Sequence, residues 1–286
     1  MRYERPQTIS DATALLAGSD QNAFVLAGGT DLLVRMQNDD FEADLVVDIK
    51  AIDGMDQIVD AGDSFVIGAA VPCAALAEDE ALVAAWPGVV EAANLIGSTQ
   101  IQGRCTMSGN LCNASPAADS VPALVAAGAQ VKIAGPSGER MIAVEEVPTG
   151  PGKTSLAKGE LIEAIILPKP ASHSGSAYLR FTPRTEMDIA VVSAGVHLEL
   201  DASGTVSSAR VSLGAVGPKV MLVEEAAQAI IGTKLEDSAL DALAAACSAA
   251  SSPIDDKRGT VDFRKQVAGV LARRATVTAY DRAGGK

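Results

Sequence analysis

Phe24-Val25-Leu26-Ala27-Gly28-Gly29-Thr30-Asp31-Leu32-Leu33-Val34-Arg35-Met36 is the stretch on which the fold turns. Phe24 to Leu26 reads as a short strand, the paired glycines as a tight turn, and Leu32 onward as a second regular segment. Paired glycines let the backbone come close to a ligand. Successive amides in such a turn form a concave nest that can hold a pyrophosphate without any positive side chain, and Thr30 adds a hydroxyl donor. The same pattern also serves as a plain connector, so the turn alone does not decide function.

Working outward, a strand is expected around Tyr3, followed by the helix DATALLAG with Ser10 as its N-cap and Gly18 as its end. LVVDI at 45–49 reads as a further strand. Together these segments make an α+β lobe over residues 1–54. A second α+β lobe over 55–175 begins with extended stretches at 57–59 and 64–70 across the turn 60–63, then a helix over 81–96. The segment 97–115 holds Gly97, Gly103 and Gly109 among Ser, Thr and Asn residues, which is poor core material and good ligand-cradling material. Ser115 and Pro116 read as the start of a short helix ended by Gly128, and strands follow at 129–133 and 161–167.

Pro168 and Pro170 mark a composition change. Beyond it, over 176–286, YLRFTPR, AVVSAGVHLEL and SSARVSLGAV read as three antiparallel strands. Helices are expected over 222–231, over 238–250 with Ser238 as N-cap, and over 261–280. The fold class is therefore α+β: two lobes followed by a C-terminal antiparallel sheet with helices. No repeat of solenoid length is present.

Composition narrows the function. Against 23 Lys plus Arg stand 36 Asp plus Glu, a formal charge of −13 that disfavours nucleic acid and anionic membranes. The polar opening MRYERPQTIS is unlike a secretory signal, and the apolar windows fall short of the roughly 20 residues a membrane span requires, so a cytoplasmic protein without a transmembrane segment is expected. The four cysteines lack the close spacing of a zinc or iron–sulfur site and are expected as free thiols. His197, one of two histidines, lies in an alternating run and reads as an ordinary strand residue.

The second cradle candidate is Thr106-Met107-Ser108-Gly109-Asn110. Two hydroxyls, a glycine and an amide in one bend contain no strong acid, base or nucleophile, so the bend suits holding a cofactor better than breaking bonds. Asp119 is placed in the first turn of the helix begun by Ser115 and Pro116. There a carboxylate is favoured by the exposed amides, with a hydrogen bond to a ribose or ribityl hydroxyl as the functional alternative. Gly150-Pro151-Gly152-Lys153-Thr154 resembles the end of a P-loop, but Val147 stands where its first glycine belongs. The dinucleotide fingerprint of a Rossmann fold is also missing.

Taken in order, FVLAGGTDLLVRM, IGSTQIQGRCTMSGNLCNASPAADSVPAL, GELIEAIILP, YLRFTPRTEMDIAVVSAG and DKRGTVDFRKQVAGVLARRA resemble one family over essentially the whole chain. That family is the FAD-binding medium subunits of the molybdenum hydroxylases, similar to carbon monoxide dehydrogenase and xanthine dehydrogenase flavoproteins. The resemblance implies a two-lobed FAD-binding fold of the vanillyl-alcohol-oxidase type. It implies cofactor-binding positions at Leu26, Ala27, Gly28, Gly29, Thr30, Asp31 and Leu32, which wrap the pyrophosphate, and at Thr106, Ser108, Gly109 and Asn110, which approach from the second lobe. It places Asp119 on a ribityl or adenosine hydroxyl, Ile162 along the cofactor, Arg180 where lysine is frequent, and Asp188 in a loop near the flavin ring. Ser108 departs from the family's usual glycine, and Cys105 from its usual small residue.

The resemblance further implies that FAD is held in this chain, while 2Fe-2S clusters and the molybdenum–pterin cofactor belong to partners. Those partners are an iron–sulfur small subunit and a molybdenum large subunit, assembled as a dimer of heterotrimers. The chain would be an electron-transfer subunit of an oxidoreductase, with no catalytic residue and no metal of its own. Two competing readings stand beside it: a stand-alone FAD-dependent oxidoreductase of the same fold, and an interaction scaffold whose glycine turns are only connectors.

Overall fold

A computed structural model describes residues 1–19, 22–185 and 187–285; Glu186, inside the motif YLRFTPRTEMDIAVVSAG, lies outside the described residues. The first lobe contains β1 (Arg2–Glu4), α1 (Ile9–Gly18), β2 (Ala23–Leu26), α2 (Leu32–Gln37) and β3 (Leu45–Asp48), with a parallel sheet ordered β1-β3-β2. All four residues of central β3 are buried, as a strand covered on both faces demands. Thr8 caps α1, not Ser10: its hydroxyl accepts the Asp11 amide at 3.1 Å, which leaves Ser10 within the first turn. On the other side of the sheet, Phe24 and Phe41 stack with ring centroids 4.2 Å apart beside Leu26 and Val46.

The second lobe holds β4 (Ile58–Asp60), β5 (Ser64–Gly68), α3 (Cys73–Glu78), α4 (Glu80–Ala85), α5 (Pro87–Ala93), α6 (Thr99–Gln102), α7 (Met107–Cys112) and α8 (Ser120–Ala126). β6 (Gln130–Gly135), β7 (Gly138–Ala143), β8 (Pro148–Gly150), β9 (Lys153–Thr154) and β10 (Leu161–Pro168) follow. β4-β5-β10-β6-β7 form an antiparallel sheet, and β8 pairs with β9. The helix expected over 81–96 is two helices, because Pro87 lacks an amide and pushes Trp86 out of the helical region, to φ −130° and ψ 60°. Trp86 is thereby turned into the core, where its indole N–H donates to the Pro168 carbonyl at 2.7 Å.

Three further expectations change here. The polar segment 97–115 is not mere surface, since Met107, Ser108 and Leu111 of α7 are buried. The helix expected from Ser115 starts at Ser120, although Gly128, with φ +67°, ends it as expected. Asp119 therefore precedes the helix instead of lying in its first turn. The P-loop look-alike is the β8–β9 hairpin, turned at Gly152 with φ +68°.

The third region contains β11 (Ser174–Phe181), β12 (Val192–Leu200), β13 (Val206–Gly214), β14 (Met221–Leu222), α9 (Glu224–Gln228), α10 (Asp237–Ala250) and α11 (Val261–Arg282). The three expected strands are antiparallel neighbours, and β14 adds a fourth. β11 runs through the expected division at 175/176. α10 begins at Asp237, so Ser238 is inside its first turn and not its N-cap. α11 lies so close on the sheet that a Cβ at Gly175 would be 2.0 Å from the Ala279 carbonyl. On the opposite side α8 also approaches closely, a Cβ at Gly195 meeting the Pro122 carbonyl at 2.5 Å.

The apolar cores follow a different division from the sheets. One continuous core joins the first two lobes, from Ala12 through Phe65 and Trp86 to Leu167, and takes in Tyr178 and Val220 of the third region; a second, from Ala177 to Ala283, belongs to the third region, and a small one around Leu26, Ala43 and Val46 lies in the first lobe. No described helix is long and apolar enough to cross a membrane.

Candidate functional site

The glycine turn is fixed from beneath. Lys50 donates from Nζ to the Ala27 carbonyl at 3.0 Å and pairs with Asp48 at 2.7 Å. Asp48 also accepts from the Tyr3 hydroxyl and from the Lys50 amide. These bonds hold Asp48 below the usual carboxylate range against the cost of its burial, with Lys50 the stronger of its two side-chain partners. With the Ala27 carbonyl turned down to Lys50, the amides of Gly28, Gly29, Thr30 and Asp31 meet no protein acceptor among the described residues. Gly29 has φ +79°, and the Leu26 side chain packs directly under it.

The second bend faces the first. Thr106 caps α7 by accepting the Gly109 amide at 2.9 Å, and Ser108 donates to the Ala69 carbonyl. Asn110 Oδ1 accepts from both the amide and the hydroxyl of Ser120, at 3.1 and 2.7 Å. That engagement leaves Nδ2, the donor end of the amide, without a protein partner among the described residues.

The two bends touch: a Cβ at Gly28 would lie 2.0 Å from the Arg104 carbonyl oxygen. Around this contact opens a cleft of about 270 Å³. Ala27 through Leu32 line it on one side, Thr106, Ser108, Gly109 and Asn110 on another, and Ile162 of β10 closes a third. Leu26 does not reach it, because its side chain belongs to the small core with Phe24 and Val46. Residues that sequence reasoning missed also line it, notably Phe24, Arg35 and Cys105. Alternation in β2 could have flagged Phe24, and Cys105 stood out only as a departure from the family's usual small residue, but nothing local distinguishes Arg35. Burial pushes the Asp31 carboxyl up, with Arg35 pulling it back.

Asp119 and Arg180 do not line the cleft. They pair with each other at 2.8 Å, and the Tyr178 hydroxyl donates to the other Asp119 oxygen at 2.9 Å. Burial pushes Asp119 up to about 6, against the opposing pull of Arg180. Asp188 is held by Arg184 and Arg258, at 3.5 and 3.3 Å, in the loop after β11. The same loop touches the start of the polar segment through the Met187 amide and the Gly97 carbonyl, at 3.3 Å. Among the described residues no cluster of three or more His, Cys, Asp or Glu side chains could hold a metal ion.

Comparison with known proteins agrees with this geometry. Residues 1–170 match the family model described as the FAD binding domain in molybdopterin dehydrogenase, and residues 177–279 match the CO dehydrogenase flavoprotein C-terminal domain. The carbon monoxide dehydrogenase medium chain of Afipia carboxidovorans is 34% identical over 281 residues, 98% of this chain and 97% of that protein. The xanthine dehydrogenase FAD-binding subunit of Escherichia coli O157:H7 is 32% identical over 286 residues, 99% of this chain and 97% of its own length. In the solved structure of reconstituted CO dehydrogenase from Oligotropha carboxidovorans, one chain superposes with a TM-score of 0.94 at 34% identity, covering 99% of this chain and 98% of that one. This chain belongs to the family of FAD-binding medium subunits of the molybdopterin dehydrogenases.

Proposed function

We propose that the chain binds FAD in the cleft between its two bends and serves as the flavin electron-transfer subunit of a molybdenum-containing hydroxylase or dehydrogenase. It would pass electrons from the 2Fe-2S clusters of a small subunit to an external acceptor, with the molybdenum–pterin cofactor in a large subunit. The observation that carries the reading is the donor set of the cleft. Four consecutive amides of the glycine turn and the Asn110 side-chain amide line the cleft without protein acceptors among the described residues, which suits a pyrophosphate bridge. The close contact of Gly28 with Arg104 makes these donors one site.

FAD, when bound, supplies the chemistry, because the isoalloxazine takes up and releases electrons singly or in pairs. The chain binds, orients and shields. Lys50 holds the Ala27 carbonyl away from the phosphates, so that the turn presents N–H groups only. Ser108, tied to Ala69, and Asn110, tied to Ser120, hold the opposite wall. Ile162 offers an apolar surface. In this reading Asp119 and Arg180 act on the cofactor indirectly: their pairing fixes the start of α8, whose Ser120 orients Asn110. No acid–base residue is required.

The finer assignments belong to the same proposal: a vanillyl-alcohol-oxidase type of FAD fold, the division near residues 54 and 175, a dimer of heterotrimers, and a cytoplasmic location. A stand-alone oxidoreductase is the weaker reading, since the matched relatives are themselves a medium chain and a subunit. Gentle purification followed by flavin spectroscopy tests the proposal. Stoichiometric FAD in this chain, with iron–sulfur and molybdenum subunits copurifying, is the expected result, and a colourless chain after incubation with FAD would contradict it.

A further inference from the structure

Two cysteines that the proposed electron-transfer role does not use stand together, Cys105 in the cleft wall and Cys73 behind it. Cys73 opens α3 and Cys105 lies in the second bend, and the Cys73 amide donates to the Cys105 carbonyl at 2.8 Å. Main chains paired in this way have α-carbons within the span of roughly 4.4–6.8 Å that a disulfide bridges. Both residues belong to one apolar core, and a Cβ on Gly28 would lie 3.0 Å from the Cys105 α-carbon. Interaction between the two thiols holds Cys105 below its ordinary value and, together with burial, pushes Cys73 up. Both side chains are buried, but Cys105 lines the cleft directly beneath the Gly28 contact.

We propose that Cys73 and Cys105 form an oxidisable thiol pair, a modification site in the cleft wall that hydrogen peroxide converts to a disulfide and that bound FAD shields. In the first step the Cys105 thiolate attacks one peroxide oxygen. The O–O bond breaks, the departing hydroxide takes up the thiol proton and leaves as water, and Cys105 becomes a sulfenic acid. Cys73 then attacks the Cys105 sulfur. The S–S bond forms, the S–O bond breaks, and the Cys73 proton leaves with the hydroxyl as a second water. One peroxide is reduced to two waters as two thiols are oxidised to one disulfide. The shielding half of the proposal rests on FAD occupying the cleft, whereas the disulfide half does not.

The test exposes the full-length chain, FAD-free and FAD-loaded, to hydrogen peroxide and maps thiols by peptide mass spectrometry. The expected product in the FAD-free chain is a peptide pair cross-linked through Cys73 and Cys105, formed at least about tenfold faster than in the loaded chain. Cys247, fully buried in the core of the third region with its thiol pushed up to about 12, serves as an internal control that stays reduced. In Cys73→Ser the reaction should stop at a Cys105 sulfenic acid that dimedone traps. An FAD-free chain oxidised at Cys105 without any cross-link to Cys73 would overturn the pair. Equal cross-linking rates in a chain whose flavin content is verified would overturn the shielding. A chain that cross-links normally but takes up no FAD would instead refute the functional reading and leave the thiol pair standing.

Discussion

Gly28 and Arg104 stand so close that a single methyl group on Gly28 would come within 2.0 Å of the Arg104 carbonyl oxygen. The constraint is between two pieces of backbone, neither of which can rotate away as a side chain would. Gly28→Ala should therefore push the two bends apart, costing on the order of 2–3 kcal/mol in stability and weakening flavin retention. Chemical denaturation and the flavin content of the purified protein check this, and an Ala variant with parental values in both would disprove it.

Lys50 gives a milder perturbation of the same turn. Lys50→Met removes the donor to the Ala27 carbonyl and leaves Asp48 buried with Tyr3 as its side-chain partner. A loss of roughly 1–3 kcal/mol is expected for the unsatisfied groups. If the freed carbonyl turns toward the cleft, FAD affinity falls by about tenfold, equivalent to about 1.4 kcal/mol. Fluorescence titration with FAD reads the affinity. An unchanged dissociation constant alongside reduced stability would confine Lys50 to a folding role.

Arg180 and Asp119 make a buried ion pair, and removing one partner of such a pair costs about 3–5 kcal/mol. In Arg180→Met the Asp119 carboxyl loses its cation and its pKa rises further above the value of about 6 it holds in the parent. A folded-state pKa above the unfolded one contributes stability at low pH that is lost as pH rises through the folded pKa. The variant's deficit should therefore be small near pH 5 and grow above pH 6. Urea unfolding at the two ends of that range decides it, and a deficit independent of pH would contradict the assignment.

His197 has the opposite sign. Burial, and then the positive charge of Arg210 across the strand pair, hold its imidazole down to about 4, below an ordinary value near 6.5. The unfolded chain thus takes up the proton first, so the contribution of neutral His197 is present above about pH 6.5 and is lost as pH falls toward 4. The loss is on the order of 3 kcal/mol over that window. His197→Asn should flatten this part of the stability profile while keeping a planar polar group against Trp86, whose ring lies 4.8 Å from the imidazole. Parallel profiles for the two proteins would show that the histidine does not titrate there.

What could be read in the sequence was local chemistry. The turn at Gly28-Gly29, the bend at Thr106–Asn110 and the alternating strands of the third region each declare themselves within a few residues, and the two bends do line one cleft. What could not be read was set by distant partners. Gly28 is needed for a neighbour 76 positions away in sequence, a reason invisible in the turn itself, where the glycine looks made for phosphate alone. Asp119 looked like a helix-terminus carboxylate, but its geometry answers to Tyr178 and Arg180 on β11. The broken helix at Trp86 followed from Pro87, a local signal that the apolar periodicity overrode in the reading from 81 to 96. Lys50 gave no sign at all, because a lysine after a strand is ordinary until its reach to Ala27 is known.

The core that joins the first two lobes takes in Leu45 and Val47 of β3 as well as Cys105, Met107, Leu111 and Ile162, so the frames of both cleft walls are packed into one body, with Leu26 and Val46 in a small core beside it. Close-packed interiors resist shear, so the two lobes cannot open and shut about a hinge as separately packed bodies do. A ligand must thread into a slot already shaped during folding, and its arrival and departure are then governed by small movements of surface loops, which favours long residence.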